Sequence, residues 1–290
     1  MGTSTSNKGT RGKNTPLIPT WLYSEIETPS QPSVGANDEN TPPQPGLAPS
    51  PPNYPPIPPT ADPNRFRTVR SNFSRFARSG GTDHASLKRA VSGYINKTSG
   101  GSRNAARSMG SSRKAAASLL GFLSDVSERG IENVLRSLKL ESLAGRPVEE
   151  IFAGIRDYIC PEGGTVDAGI AIDSFIRTIA DLAEAGISDF NTLNSDQIQT
   201  VVELYMTHTI EERLYNEIGT NTISLPENAS EVEKVQDQLR DFISNGVSDA
   251  LTSAREKLEE LTPDKMLEFV DGVYEQSFTL LLALANAENR

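Results

Sequence analysis

The opening residues Met1-Gly2-Thr3-Ser4-Thr5-Ser6 carry the most available nucleophile of this 290-residue chain. A small residue at position 2 lets methionine aminopeptidase remove Met1. The α-amine then left on Gly2 has a pKa of about 7.7–8.0, against about 10.4 for lysine, so near neutrality it is the easiest nitrogen to acylate. Gly2 has no side chain to obstruct approach through a narrow opening. Thr3, Ser4, Thr5 and Ser6 add hydroxyls for hydrogen bonds along such a channel without adding bulk. The same six residues also fit an ordinary polar, disordered start. Their Met1-Gly2-x-x-x-Ser6 spacing matches the myristoylation pattern as well, although a single acyl chain anchors only marginally.

Other reactive constellations are thin. The chain has two histidines, His84 and His208, and one cysteine, Cys160, too few for a zinc-type ligand set. Cys160 is expected at a helix C-terminus, the wrong end of the dipole for a low-pKa thiolate. Gly163-Gly164-Thr165 lacks the lysine of a phosphate loop, and no EF-hand spacing occurs. The expectation is a protein that is not an enzyme and takes no metal and no cofactor. A lone cysteine excludes an internal disulfide. With no signal peptide or membrane-length apolar run, the expected location is the cytoplasm, with no membrane partner.

The elements that position the amine divide the chain unequally. Residues 1–114 hold 15 Lys and Arg against 6 Asp and Glu, whereas residues 115–290 hold 13 against 32. Fifteen of the 19 prolines precede Asn64. Residues 1–27 form a presented Gly/Ser/Thr tail ending in an apolar docking motif, with Leu17, Ile18, Trp21 and Leu22 held extended by Pro16 and Pro19. Residues 28–63 are a Pro-rich linker that favours polyproline II; at about 3.1 Å per residue it spans up to about 100 Å. Residues 64–82 interleave arginines with aromatics as Arg65, Phe66, Arg67, Arg70, Phe73, Arg75, Phe76 and Arg78. That pattern suits single-stranded nucleic acid or an acidic partner groove. The aromatics would equally serve as a staple onto the acidic domain.

Residues 83–290 read as an acidic all-α domain. Leu87, Ala90, Val91, Tyr94 and Ile95 keep a helical period, with Asp83 as N-cap. After a Gly/Ser/Arg-rich break at 100–111, helical patterns run over 114–128 and, beyond Gly130, through Ile131, Val134, Leu135 and Leu138. Pro147 is placed in the first turn of the next helix, whose face is Ile151, Phe152, Ile155 and Ile159. Further helices are expected at 166–185 with Gly186 as C-cap, at 195–218 opened by Ser195 and Asp196, at 230–261 and at 263–287. The last has Thr262 as its cap and Pro263 at its first position.

Several stretches resemble the QatB family of the bacterial Qat anti-phage defence systems. They are Met1-Gly2-Thr3-Ser4-Thr5-Ser6, Pro16-Leu17-Ile18-Pro19-Thr20-Trp21, Arg75-Phe76-Ala77-Arg78-Ser79-Gly80-Gly81, Ser111-Ser112-Arg113-Lys114-Ala115, Gly121-Phe122-Leu123 and Ile159-Cys160-Pro161-Glu162-Gly163-Gly164-Thr165. Thr20 stands where a second proline is expected. The resemblance implies three partners: an ATPase (QatA), a QueC-like enzyme (QatC) and a TatD-like nuclease (QatD). QueC-type enzymes adenylate a carboxy-deazaguanine and pass its acyl group to an amine. The resemblance therefore implies a non-enzymatic defence subunit whose Gly2 amine accepts that group, with Leu17, Ile18, Trp21 and Leu22 anchoring the tail on the modifying enzyme. The alternative is a structural adaptor whose basic arm binds nucleic acid and links the ATPase to the nuclease.

Overall fold

A computed structural model describes residues 64–160, 163, 165–184, 194–218, 225, 226, 228–255 and 261–287. The tail, its docking motif and the linker lie outside the described residues. Those residues are all-α, with ten α-helices and no strand among them. The helices are α1 (Arg67–Arg78), α2 (His84–Gly93), α3 (Ser102–Ser108), α4 (Gly110–Arg129) and α5 (Ile131–Ser137). They continue with α6 (Val148–Ile159), α7 (Val166–Glu184), α8 (Ser195–Ile218), α9 (Ala229–Ser253) and α10 (Met266–Asn286).

Val69, Phe73, Phe76 and Ala77 recur at helical spacing on α1 and are fully buried, which makes α1 an amphipathic helix of the body. It pairs with α2 through a turn in which Gly80 and Gly81 both take positive φ, a conformation that side-chain-bearing residues resist. The Asp83 side chain accepts a 2.9 Å hydrogen bond from the Ser86 amide and caps α2 as expected. One π-helical turn, Tyr94–Thr98, extends α2 and buries Tyr94 and Ile95.

Two local readings are corrected by the structure. The stretch at 100–111 is not a break: α3 forms there and buries Ala105 and Ala106, with Met109 buried just beyond it. Small residues gave that face little apolar signal. Pro147 is the N-cap of α6 rather than part of its first turn, with extended backbone at ψ 151°. Helix α8 opens at Ser195 as expected, and Asn194 before it forms a reciprocal capping box: its Oδ1 accepts from the Gln197 amide while Gln197 Oε1 accepts from the Asn194 amide. The chain from Pro263 begins with a short 3-10 turn, Pro263–Lys265, that feeds α10. Gly186 lies outside the described residues.

Helix α8 runs through the middle of the assembly, packed by α7, α9 and α4. Helix α10 closes the other side against α9, α4, α3 and α2, burying Val270, Val273, Tyr274, Ser277, Phe278 and Leu281. The α9–α10 crossing is close because Gly246 has no side chain: a Cβ there would stand 2.8 Å from Leu281.

Because Phe76 sits at zero exposure in the common core, Phe76→Ala is expected to cost about 3–5 kcal/mol. Urea unfolding followed by circular dichroism checks this. One lowered cooperative transition is expected, not a separate early loss of α1.

Candidate functional site

Every residue of α8 from Tyr205 to Glu211 is buried. Seven consecutive residues cover every face of a helix, so Thr207, His208, Thr209 and Glu211 are carried inside with no route to water. Buried polar groups need partners, and neighbouring helices supply them for Thr209 and for His208 Nε2, while Thr207 Oγ1, His208 Nδ1 and Glu211 Oε1 have no hydrogen-bond partner among the described residues. Thr209 Oγ1 lies 2.8 Å from Tyr274 Oη on α10 and donates to the Met206 carbonyl. His208 Nε2 lies 2.6 Å from Asp181 Oδ2 on α7.

Glu211 is the centre of the cluster, with a side chain at 0 % exposure. Its Oε2 is 3.1 Å from Arg177 on α7 and 3.4 Å from Arg240 on α9, and His208 Nδ1 lies 3.6 Å away. Arg177 also reaches Glu212 at 2.6 Å. Burial alone pushes the Glu211 pKa up. The His208 ring and the guanidinium groups of Arg177 and Arg240 outweigh it and hold the carboxyl below its ordinary value. His208 figures in the sequence only as one of too few metal ligands, and Glu211 is not singled out there. Their partners lie 27 and 34 residues away on α7 and 29 on α9, which no local spacing reveals. Unbroken burial over two turns, with charge inside it, is a locking arrangement with no open face for a substrate.

Of the expected contact residues in 64–82, the aromatics are committed to packing. Phe73 meets Phe76 and Tyr215 edge-on, each at 5.8 Å between ring centres. No base can stack on Phe73 or Phe76 while α1 is folded. Phe66 is half-buried beneath the guanidinium groups of Arg65 and Arg70. Arg70 Nε also donates to the Ile218 carbonyl at 2.6 Å, capping the C-terminus of α8. Arg65, Arg67, Arg75 and Arg78 remain exposed. The structure thus brings four arginines to the surface and takes two of the three phenylalanines out of it. Gly2, Thr3, Ser4, Thr5, Ser6, Leu17, Ile18, Trp21 and Leu22 lie outside the described residues.

Cys160 is buried at the C-terminus of α6, its Sγ 3.5 Å from the Ala171 carbonyl. Burial pushes the thiol up to about 12, so it is protonated and inert at neutral pH. Among the described residues no group of three or more His, Cys, Asp and Glu could hold a metal ion. None of the described helices is long and apolar enough to cross a membrane.

A groove of about 900 Å³ is bounded by α3, the start of α4, the end of α9 and α10. Arg103 and Arg107 stand on its α3 side, and Glu268 and Glu275 on its α10 side. Arg113 and Asp271 meet across it at 2.8 Å.

The family described as Qat anti-phage system associated protein QatB matches residues 100–281. This is more than half of the chain. The chain belongs to the QatB family. It is thereby a component of an anti-phage defence system. The match takes in α3 through most of α10, and with them both the Glu211 cluster and the groove; α1 and α2 precede it. No curated protein and no solved structure matches the chain.

Glu211→Ala leaves Arg177 with Glu212 and Arg240 with Asp237 as their remaining carboxylate partners among the described residues, and is expected to cost about 3 kcal/mol, the low end for a broken buried pair because both arginines are partly solvated. The acid limb carries the same signature. A carboxylate with a depressed folded pKa contributes its stability in full above the unfolded value of about 4.3 and loses it as pH falls through the folded value. The melting temperature of the native chain should hold from pH 7 to about pH 5 and fall below about pH 4.3. In Glu211→Gln it should start lower and fall less steeply, read by differential scanning calorimetry across pH.

Proposed function

We propose that this QatB-family chain is a non-enzymatic subunit whose Gly2 amine, after loss of Met1, accepts a deazaguanine-type acyl group from a QueC-like partner (QatC). Membership of the QatB family carries the reading, joined to the opening Met1-Gly2-Thr3-Ser4-Thr5-Ser6. In the reaction the neutral Gly2 nitrogen attacks the carbonyl of the acyl-adenylate. The new C–N bond replaces the acyl–phosphate bond, AMP leaves, and the nitrogen gives up its extra proton to solvent. The fraction of neutral amine sets the rate, and for an α-amine that fraction is large at pH 7–8.

The rest of the chain serves presentation. Thr3, Ser4, Thr5 and Ser6 line the passage to the activated carboxyl, and Leu17, Ile18, Trp21 and Leu22 dock residues 1–27 on the modifying enzyme. Residues 28–63 give the tail reach. Residues 64–82 and 83–290 form the helical body, which recruits the ATPase (QatA), the QueC-like enzyme and the TatD-like nuclease (QatD) in the cytoplasm. The locked α7–α8–α9 cluster supports this part of the reading, because a rigid body is a fixed point from which a tail can reach.

A second reading rests on the exposed Arg65, Arg67, Arg75 and Arg78. They could track a nucleic-acid backbone through phosphate contacts alone, since Phe73 and Phe76 are buried. Binding of that kind falls steeply with salt and ignores sequence.

The deciding experiment is the intact mass and N-terminal peptide of the full chain made with and without its gene neighbours. Expected is loss of Met1 and a neighbour-dependent mass addition on Gly2 that disappears when the QueC-like gene is omitted. A bare Gly2 under both conditions overturns the acceptor reading. Gly2→Leu, which retains Met1, should abolish both the addition and phage protection.

A further inference from the structure

From Asn64 to Thr98 the exposed residues are basic, polar or small. Arg65, Arg67, Arg75, Arg78, Arg89 and Lys97 stand among Asn, Ser, Thr and His side chains and Ala85, with no exposed carboxylate between them. The sequence holds one acidic residue from Asn64 to Ser124, Asp83, and its carboxyl is taken up as the cap of α2. None of the six cations makes an ion pair among the described residues, whereas Arg113, Arg129, Arg177, Arg213, Arg240 and Arg255 each meet a carboxylate. Like charges gathered in this way repel one another, and an anionic partner relieves that repulsion.

Helical geometry lines the cations up. At about 100° per residue, Arg67, Thr68, Ser71, Arg75 and Arg78 fall within one stripe about 100° wide along α1. From Arg67 to Arg78 the stripe extends about 16 Å. Helix α2 packs beside α1, and the two are tied at both ends. At one end Thr98 Oγ1 donates to the Arg65 carbonyl at 3.3 Å, which brings Lys97 to the start of α1. At the other, the Ser86 hydrogen bonds and then Arg89 and Arg75 hold the Asp83 carboxyl below its ordinary value, so an arginine of each helix faces the same point. Arg70 falls off the stripe, and it is the α1 arginine engaged internally, on the Ile218 carbonyl.

We propose that the outer face of the α1–α2 hairpin docks the phosphate backbone of a nucleic-acid duplex, without regard to sequence. Arg and Lys with Asn, Ser and Thr are the side chains that contact phosphate and sugar. A protein partner needs an apolar or aromatic anchor at the centre of its footprint, and the exposed residues of this face offer nothing larger than Ala85. A single strand needs aromatic platforms for its bases, but Phe73 and Phe76 are buried and Phe66 lies under two guanidinium groups. A duplex needs neither, and over about 16 Å one of its strands presents about five phosphates. Residues 115–290, with 13 Lys and Arg against 32 Asp and Glu, repel the same phosphates and confine the contact to the hairpin. Helix α9 adjoins the α1–α2 turn through Lys234 and Gln238, and its exposed Glu233 and Asp237 bound the strip there. The proposal rests on the second reading above for the α1 arginines and deepens it, adding Arg89 and Lys97 and naming a duplex.

The test is fluorescence anisotropy of the full chain with a labelled DNA duplex of arbitrary sequence, an RNA duplex and the single DNA strand in parallel. Expected is duplex binding that weakens roughly a thousandfold between about 50 and 200 mM salt, as about six phosphate contacts require. The DNA and RNA arms show which duplex supplies the backbone. Arg89→Gln/Lys97→Gln should lessen the slope of log affinity against log salt by about two, with the melting temperature unchanged because both side chains are exposed. Arg136→Gln on α5, an exposed arginine away from the hairpin, should leave the slope unaltered. An equal change in Arg136→Gln, tighter binding of the single strand, or complete displacement of the duplex by polyglutamate of equal charge overturns the proposal; the last assigns the strip to an acidic protein. Duplex binding untouched by Arg89→Gln/Lys97→Gln rejects the two-helix surface and leaves the second reading standing on α1 alone. No salt-sensitive binding rejects both, and neither result bears on Gly2.

Discussion

A helix buried on every side cannot send its polar residues to water, and α8 is such a helix from Tyr205 to Glu211. A charge in that position either finds opposite charge or loses its own. Glu211 finds it twice, in Arg177 of α7 and Arg240 of α9, which fixes the mutual placement of three long helices around one carboxylate. Apolar packing alone would hold these helices together with some freedom to slide. The ion cluster admits one register. Tyr274 adds a fourth helix to the same constraint through its contact with Thr209. The remainder of the body is arranged on that frame: α10 crosses α9 closely at Gly246, α1 lays Phe73 against Tyr215 of α8, and Arg70 closes the C-terminus of α8.

For a defence component the consequence is a body whose chemistry is locked away and whose surface is left for contact. Cys160 and His208 are buried, and Glu211 is neutralised in place, whereas His84 stands exposed at the start of α2. Exposed arginines stand along α1 and α3, and exposed carboxylates along α6, α9 and α10. That division continues the basic front and acidic rear of the sequence into three dimensions. On the proposed reading the body serves the tail, which presents the Gly2 amine.

Much of this fold was legible because helices announce themselves by apolar period. The Asp83 cap and the full extent of α8 follow from residues a few positions apart. What escaped was of two kinds. Helix α3 buries Ala105 and Ala106, whose small side chains give weak periodicity. The Glu211 cluster joins residues on three helices, so only tertiary structure assembles it. The burial of Phe73 and Phe76 lay between these cases. Their interleaving with arginines suggested a binding strip, yet Val69, Phe73, Phe76 and Ala77 also fall at helical spacing, and that period was the better guide.

The claim on which the account turns is that one buried carboxylate holds the body together as a unit. Native-state hydrogen exchange on the full chain and on Glu211→Gln, measured side by side, tests it most directly. The account predicts that α7, α8 and α9 lose protection together in the variant, followed by α1 and α10, which pack against them. A loss confined to the turn of α8 around position 211, with α7 and α9 unchanged, would contradict it.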